Sequence, residues 1–336
     1  MARIAYKYRC YPNRGTVRRA YALMYGPLAE VWNAALVQRQ ETYLNYKVSL
    51  AHRRGHAPKP VTSYKDSREY GIIKGQEKYP GVNKWTLQDV LMKLDGSYRS
   101  FFDLCKKDPL ARPPGKKSAH RCIVFKSATN GKLVGADWDG RVLCADKLGL
   151  RFRVRLHRPI TGKIKTVSIT VCRRGFWYIS FSCETADVPE LPIRKEVRIE
   201  FPDKLFIRDS RGDVFEHPQF YFTHIEELRR LSRALSRKVK GSKNRKKARR
   251  TLAKFHDHIR NKRKYFLHKV ANYYIINYDL IRIPKWPAKE NIMHATNSRT
   301  AMKFCDASYA LFIQILKHAA SKSGKKIEEY ITKTTE

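Results

Sequence analysis

The chain has 336 residues, with 70 lysines and arginines against 30 aspartates and glutamates, and its formal net charge at pH 7 is +40. This length accommodates two or three domains with cores of their own, and an apolar content of 42% with 12% aromatic residues excludes a disordered chain. Self-repulsion at +40 would destabilise a compact fold unless a polyanion neutralised it, so the composition predicts a nucleic-acid partner, with a ribosomal or nucleoid-type protein as the plain alternative.

The first half of the chain begins with a short strand and then changes to helices. Apolar and polar residues alternate over 4–12 until a proline ends the pattern, which predicts a half-buried strand. Helical spacing of apolar residues follows over 16–46 and again over 84–105, where we interpret the aromatic side chains as core rather than as a base-stacking surface. Short alternating runs over 121–183, separated by turns that contain glycine, predict a small antiparallel barrel, a common platform for oligonucleotides.

The second half combines short strands with long basic helices. Thr223 and Glu226 form a capping box that predicts the start of the first basic helix, and Gly241-Ser242 ends that helix. The order of strands, long helices, strand and helix is that of an RNase H-like (RuvC) α/β domain, so the predicted fold class is α+β with several domains. The predicted elements are 197–201, 205–208 and 214–216 as strands, 225–239 and 248–270 as helices, 278–283 as a strand and 304–319 as a helix.

The two basic helices form the most highly charged segment of the chain. Residues 229–269 contain eighteen lysines and arginines against one aspartate. Such a block predicts contacts with the phosphates of a nucleic acid, which do not depend on its base sequence. The residues predicted to make these contacts are Arg229, Arg230, Arg233, Arg237, Lys238, Lys243, Arg245, Lys246, Lys247, Arg249, Arg250, Lys254, Arg260 and Arg263.

The order of residues within this block resembles that of the TnpB (OrfB) family of transposon-encoded RNA-guided nucleases. Further motifs similar to those of the family are Tyr6-Lys7-Tyr8-Arg9, Trp32-Asn33-Ala34-Ala35-Leu36, Leu87-Gln88 and Asp306-Ala307-Ser308-Tyr309. The resemblance implies three domains. These are a β-barrel wedge domain formed by 1–12 and 109–190, a helical recognition lobe inserted at 13–108, and a RuvC-like domain at 191–336 that is truncated before the family's zinc ribbon.

The resemblance also implies roles for individual residues of the first half. Lys84 and Gln88 match positions that help the family to read a short duplex motif beside its DNA target. A Gln amide can bond to adenine and a Lys can donate to guanine, although two surface residues of a helix are the plain alternative. Tyr8 and Arg9 of the opening strand join the predicted nucleic-acid contacts.

The chain departs from the family at the three carboxylates that hold its catalytic metal. Metal-assisted phosphodiester hydrolysis needs ions that clamp both the attacking and the leaving oxygen. Glu200 stands where the resemblance implies an Asp, Pro284-Lys285 where it implies a Glu, and the third acid would follow the zinc ribbon. These departures predict that the chain has no functional Mg or Zn site and no cofactor, and that it is not an enzyme.

With its basic block retained and its carboxylates replaced, the chain most resembles the nuclease-dead TnpB-like repressors (TldR). This resemblance implies guide RNA and double-stranded target DNA as partners, and repression of transcription by competition with RNA polymerase at promoters. Two alternatives stay open. One is an active RNA-guided DNA endonuclease with a rearranged site that uses Glu200 together with Asp203 or Asp279, and the other is an RNA-binding protein that acts only on its own transcript.

The cysteines show no metal-binding pattern. None of the seven belongs to a C-x-x-C pair, and neither a signal peptide nor a membrane-spanning apolar run is visible. The sequence therefore predicts reduced thiols, no membrane partner, and a cytoplasmic, nucleoid-associated location in a bacterial cell.

Overall fold

The computed structural model describes residues 2–52, 59–75, 78–172, 174–202, 205–295 and 297–331. The chain divides into two compact units, Met1–Ala186 and Asp187–Glu336, each with its own hydrophobic core. The α-helices and strands described in the first unit are β1 (Ala2–Pro12), α1 (Arg14–Tyr25), α2 (Pro27–Ala51), α3 (Arg68–Gly75), α4 (Lys84–Cys105), β2 (Cys122–Lys126), β3 (Asp137–Trp138), β4 (Val142–Ala145), β5 (Leu150–Arg155), β6 (Lys163–Val171) and β7 (Trp177–Thr185).

Strand β1 lies at the centre of a seven-stranded antiparallel sheet with the order β2-β6-β7-β1-β5-β4-β3. The alternation of residues along each strand decides which face is buried. In β5, Leu150, Phe152 and Val154 are buried in the core, while the arginines between them are exposed. Strands β2 and β3 form the two edges, so the barrel predicted from the alternating runs is an open, curled sheet.

The helices of the first unit lie between β1 and β2 in the chain. The helix predicted over 84–105 is confirmed as α4. The helical spacing predicted over 16–46 is confirmed, but it belongs to two helices, because α1 ends at Tyr25 and α2 begins at Pro27. Proline has no N–H to donate to the preceding turn and its ring disfavours a helical conformation in Gly26, so the two helices meet at a break.

The core of the first unit contains a histidine without hydrogen-bonded ring nitrogens. His120 is 4% exposed, and neither Nδ1 nor Nε2 has a hydrogen-bond partner among the described residues. Burial, together with the charges of Lys93 and Lys117, lowers the pKa of His120 to about 3. Between this pKa and that of an unfolded histidine, about 6.5, the unfolded chain binds a proton that the folded chain does not, so stability falls as the pH falls.

We expect the substitution His120→Leu to remove this part of the acid sensitivity. At pH 5 the histidine lowers the free energy of unfolding by about 2 kcal/mol, because pH 5 lies about 1.5 pH units below the pKa of an unfolded histidine and each unit contributes about 1.36 kcal/mol. Urea unfolding of the wild type and the variant at pH 7 and pH 5 checks the expectation, because the difference in unfolding free energy between them should shift by this amount in favour of the variant. An equal difference at both pH values would contradict it.

The second unit is built on a five-stranded mixed sheet. Its α-helices and strands in the described ranges are β8 (Glu196–Glu200), β9 (Ile207–Asp209), β10 (Val214–Phe215), α5 (Phe220–Thr223), α6 (Ile225–Ser236), α7 (Lys243–Asn277), β11 (Leu280–Pro284), α8 (Ala288–Met293), α9 (Ser298–Ala307), α10 (Tyr309–Lys322) and β12 (Lys326–Tyr330). The strand order is β10-β9-β8-β11-β12, in which β8, β11 and β12 are parallel and β9 and β10 are antiparallel. Tyr274 of α7 and Phe312 of α10 are fully buried in its core.

The predicted order of strands, long helices, strand and helix is confirmed in the second unit, with a further strand at β12. The helix predicted over 304–319 is two helices, because Ser308 has a left-handed backbone with φ of 55° and ends α9. The predicted capping box is also wrong. Thr223 already belongs to α5, its hydroxyl donates to the Gln219 carbonyl at 2.9 Å, and His224 precedes α6 without a side-chain cap.

Across the described ranges, no helix combines the length and the apolar character needed to cross a membrane. The seven cysteines all have free thiols in the structure described.

Candidate nucleic-acid interface

Helices α6 and α7 form an antiparallel hairpin. The His224 ring at the start of α6 lies 5.7 Å from the Phe255 ring in the middle of α7, and Arg245 Nη1 at the start of α7 donates to the Leu235 carbonyl near the end of α6 at 3.2 Å. Ser242 caps α7 by accepting a hydrogen bond from the Arg245 N–H. Within α7 as described, none of residues 243–258 is buried, so this end of the hairpin lies outside the core.

The cations of both helices lie opposite their apolar residues. At ~100° per residue, the three arginines of α6 with Arg237 directly after it, and five cations of α7, each fall within an arc of about 100° on the side away from the helix contact. We call these nine residues the basic face: Arg229, Arg230, Arg233, Arg237, Lys243, Lys246, Lys247, Arg250 and Lys254. All nine are exposed, as are Lys238, Arg249 and Arg260 of the predicted contacts.

Few carboxylates neutralise the basic face. Arg229 pairs with Glu226 at 2.8 Å and Arg230 with Glu227 at 2.6 Å, both as exposed pairs one turn apart at the start of α6. Such surface pairs contribute little to stability. The other seven members make no ion pair within the described part of the chain, so the face presents a band of positive charge that phosphates can neutralise.

Three of the predicted contacts are used inside the fold. Arg245 donates to the carbonyls of Leu235 and Lys238 and so links the start of α7 to the end of α6. Arg263 pairs at 2.5 Å with Asp306, whose side chain is 1% exposed. Tyr8 is 1% exposed, and its hydroxyl donates to the Arg158 carbonyl at 3.1 Å. The prediction for Tyr8 is therefore wrong, because the pleat of β1 turns this side chain into the core.

Arg9 lies on the outer face of the first sheet, where sequence reasoning missed its neighbours. Its guanidinium stands over the Phe176 ring at 4.1 Å, and in the sheet register it is the partner of Arg155. Arg151 and Arg153 are exposed on the same side of β5. The signal was present in the run 150–155, where arginine occupies every second position.

Both residues predicted to read an adjacent motif lie in the first turns of α4. Lys84 is exposed at the start of the helix, and Gln88 is partly buried, with its Nε2 donating to the Tyr64 hydroxyl at 3.4 Å. Lys84 lines a cavity of about 470 Å³ together with Trp85 and Lys147. Helical spacing places Lys84 and Gln88 one turn apart on the same side of α4.

Glu200 ends the central strand of the second sheet, with 54% of its side chain exposed. Its carboxylate lies 3.8 Å from Arg198 Nε. The neighbouring strand β11 ends in the buried Pro284, which is followed by the exposed Lys285. Among the residues that the structure describes, no three His, Cys, Asp or Glu side chains are grouped to hold a metal ion.

Asp279 does not belong to the same site as Glu200. It precedes β11, and Leu280 pairs in parallel with Glu196 at the start of β8. Asp279 therefore lies at the amino end of these strands, whereas Glu200 lies at the carboxyl end of β8. Lys325 at 2.5 Å and the N–H groups of Arg194 and Lys195 at 3.1 Å hold the Asp279 carboxylate and lower its pKa to about 2. A rearranged site of Glu200 with Asp279 is therefore wrong, and Asp203 lies outside the described residues.

Comparison with known proteins finds one matching family model and two relatives. The family model OrfB_IS605, described as "Probable transposase", matches residues 205–286. A protein of Streptomyces pristinaespiralis is 26% identical over 327 residues, which are 96% of this chain and 76% of the relative. InsQ of Escherichia coli K12 is 29% identical over 254 residues, 75% of this chain and 59% of the relative. Both relatives carry provisional names as RNA-guided DNA endonucleases.

Among solved structures, the cryo-EM structure of the Cas12f1-sgRNA-target DNA complex is similar with a TM-score of 0.59. The match covers 98% of this chain and 89% of that one at 11% identity, which shows the fold alone. It confirms the coarse prediction of a mixed α and β fold. The names of the two relatives contradict the prediction that the chain is not an enzyme, which rested on Glu200, Pro284 and Lys285 in place of catalytic carboxylates.

Proposed function

We propose that this chain, which belongs to the TnpB (OrfB) family, binds a guide RNA and, through that RNA, a complementary DNA target. The observation that carries the proposal is the basic face of α6 and α7. Its exposed cations lie on two helices fixed to one another, and seven of them have no carboxylate partner in the described structure. A surface of this kind binds phosphates without reading bases, so sequence specificity is left to pairing between RNA and DNA.

Purification of the protein from its host together with bound nucleic acid tests this function. We expect one discrete RNA species, and DNA fragments complementary to part of that RNA. Recovery of a heterogeneous RNA pool, or of DNA unrelated to the bound RNA, would contradict the proposal. DNA binding that ignores the guide would favour a protein that acts only on its own transcript.

Cleavage of the bound DNA is a second candidate function, favoured by the two endonuclease relatives. Glu200 is the carboxylate that would take part, because it is exposed at the end of the central strand. We expect target DNA to be cut in the presence of Mg²⁺, and Glu200→Ala to abolish the cut. Glu196→Ala, at the other end of β8, is the matched control and should leave cleavage unchanged. Intact DNA after incubation with the assembled wild-type complex would contradict this candidate.

Occupancy of a target that lies in a promoter would exclude RNA polymerase by steric competition. This finer proposal follows from DNA binding alone and concerns where the targets lie. A reporter placed behind the target sequence should lose expression when the protein and its guide RNA are present, and should recover it when the target is scrambled.

The position of Gln88 predicts an effect on the motif beside the target. Replacing Gln88 with Ala removes an amide that can accept from and donate to one base, so we expect the preferred motif to change while affinity for RNA stays the same. Selection of bound targets from a DNA library with a randomised flank measures the preference. Asp103→Asn, exposed at the far end of α4, is the control, and identical motif profiles for both variants would contradict the role of Gln88.

A further inference from the structure

The first unit contains a cavity of about 400 Å³ between α2, α4 and the segment that follows α4. Phe101, Leu104 and Pro114 give it apolar walls, and Arg112 and Lys117 give it two cations. This volume falls within the range of sites that enclose small organic ligands, about 300–1,000 Å³. The combination of a mainly apolar wall with a few convergent polar groups is typical of such sites.

One wall of the cavity is held rigid by two residues of α2. Trp32 Nε1 donates to the Gly115 carbonyl at 3.1 Å. The Asn33 side chain donates to the Lys117 carbonyl at 2.9 Å and accepts from the Lys117 N–H at 2.8 Å. Because three hydrogen bonds fix this wall before any ligand arrives, binding would cost little conformational entropy.

The cations of the cavity lack anionic partners. Neither Arg112 nor Lys117 forms an ion pair within the ranges described. Lys117 Nζ lies over the Trp32 ring, 3.1 Å from its centroid. Burial and then the like charge of Lys93 lower the pKa of Lys117 to about 8, against the opposing effect of Cys122. An anion placed between Arg112 and Lys117 would supply the charge that this site lacks.

We propose that this cavity binds a nucleotide, with its base against Phe101 and Leu104 and its phosphate on Arg112 and Lys117. A flat ring system covers the apolar wall, and a phosphate accepts charge-assisted hydrogen bonds from both cations. The nucleotide is either free or the phosphorylated 5′ end of a strand. Only the strand-end source rests on the proposed binding of nucleic acid, because a free nucleotide needs neither guide RNA nor target DNA.

Calorimetric titration of the purified full-length protein tests the inference. The probes are adenosine 5′-monophosphate, adenosine, inorganic phosphate, and a short single strand with or without a 5′ phosphate. We expect the monophosphate to bind about tenfold or more tightly than adenosine, the difference made by one charge-assisted contact. Lys117→Gln should reduce this difference, because only Arg112 then contacts the phosphate, and Lys117→Arg should keep most of it. Lys116→Gln, at the exposed neighbouring lysine, is the matched control and should change nothing.

Two further measurements identify the source of the nucleotide and test the role of Lys117. A strand that gains affinity from its 5′ phosphate identifies the strand end as ligand, and equal affinities of the two strands identify the free nucleotide. Phosphate beside Lys117 favours its charged form, so binding at pH 8 should take up protons, seen as a dependence of the heat on the buffer, and affinity should fall as the pH rises through 8. Equal affinity for adenosine and its monophosphate, equal effects of Lys116→Gln and Lys117→Gln, or no binding of any probe would overturn the proposal.

Discussion

Replacement of Lys246, Lys247, Arg250 and Lys254 with glutamate is expected to weaken the binding of every guide RNA and target by about a thousandfold at about 0.15 M salt. The estimate takes one released counterion for each phosphate contact on a duplex, a slope of about −0.9 per contact in log–log terms. Four lost contacts change that slope by about 3.6. If the variant and the wild type bind equally at about 1 M salt, this change in slope makes their affinities differ by about a thousandfold at about 0.15 M salt. Fluorescence anisotropy across a salt series measures both quantities.

A variant that exchanges lysine and arginine at the same four positions is the matched control. It retains the charge and should retain the affinity and the salt slope to within a few-fold, because phosphate contacts at exposed positions depend mainly on charge. A quadruple glutamate variant that binds with the wild-type salt slope would show that the basic face does not contact nucleic acid. A loss confined to one guide sequence would contradict contacts made to phosphates.

The substitution Arg263→Ala is expected to destabilise the protein by about 3–5 kcal/mol, the cost of leaving a buried carboxylate without its cation. Asp306 is 1% exposed at its side chain and is held by Arg263 at 2.5 Å and by the Tyr221 N–H at 2.9 Å. Removing the guanidinium leaves only the second of these partners. Because Asp306 lies in α9 and Arg263 in α7, the lost contact joins two helices and affects the second unit as a whole.

Arg260→Ala provides the matched control for this prediction. Arg260 lies on the same helix and pairs with Asp257 at 2.8 Å, but its side chain is 61% exposed. An exposed pair of this kind contributes about 0–1 kcal/mol, so its loss should be small. Urea unfolding monitored by circular dichroism compares the two variants, and similar losses of unfolding free energy in both would contradict the structural role of Arg263.

The sequence was most informative where periodicity decides structure. Helix α4 could be predicted to the residue because Asn83 caps it and its apolar spacing is uninterrupted. The exposed arc of α6 and α7 could be predicted because apolar stripes fix the orientation of a helix. The breaks at Gly26 and Ser308 were missed, since a helical pattern of apolar residues continues across both.

Residues of one type could not be separated by sequence alone. Arg245, Arg250 and Arg263 stand in the same basic block, yet only Arg250 faces away from the fold. The difference lies in tertiary partners, a pair of helix carbonyls for Arg245 and a buried carboxylate for Arg263, which no local pattern encodes. Asp279 was likewise predicted as a partner of Glu200. The parallel register of β8 with β11 shows that the two residues lie at opposite ends of these strands.

A guide exchange tests RNA-guided DNA binding most directly. The purified protein is assembled with either of two guide RNAs and presented with two DNA duplexes, each complementary to one guide and otherwise identical. We predict that each complex binds its own duplex at least about a hundredfold more tightly than the other, and that exchanging the guides exchanges the preference. Equal binding of both duplexes, or a preference that stays with one duplex whichever guide is bound, would contradict the account.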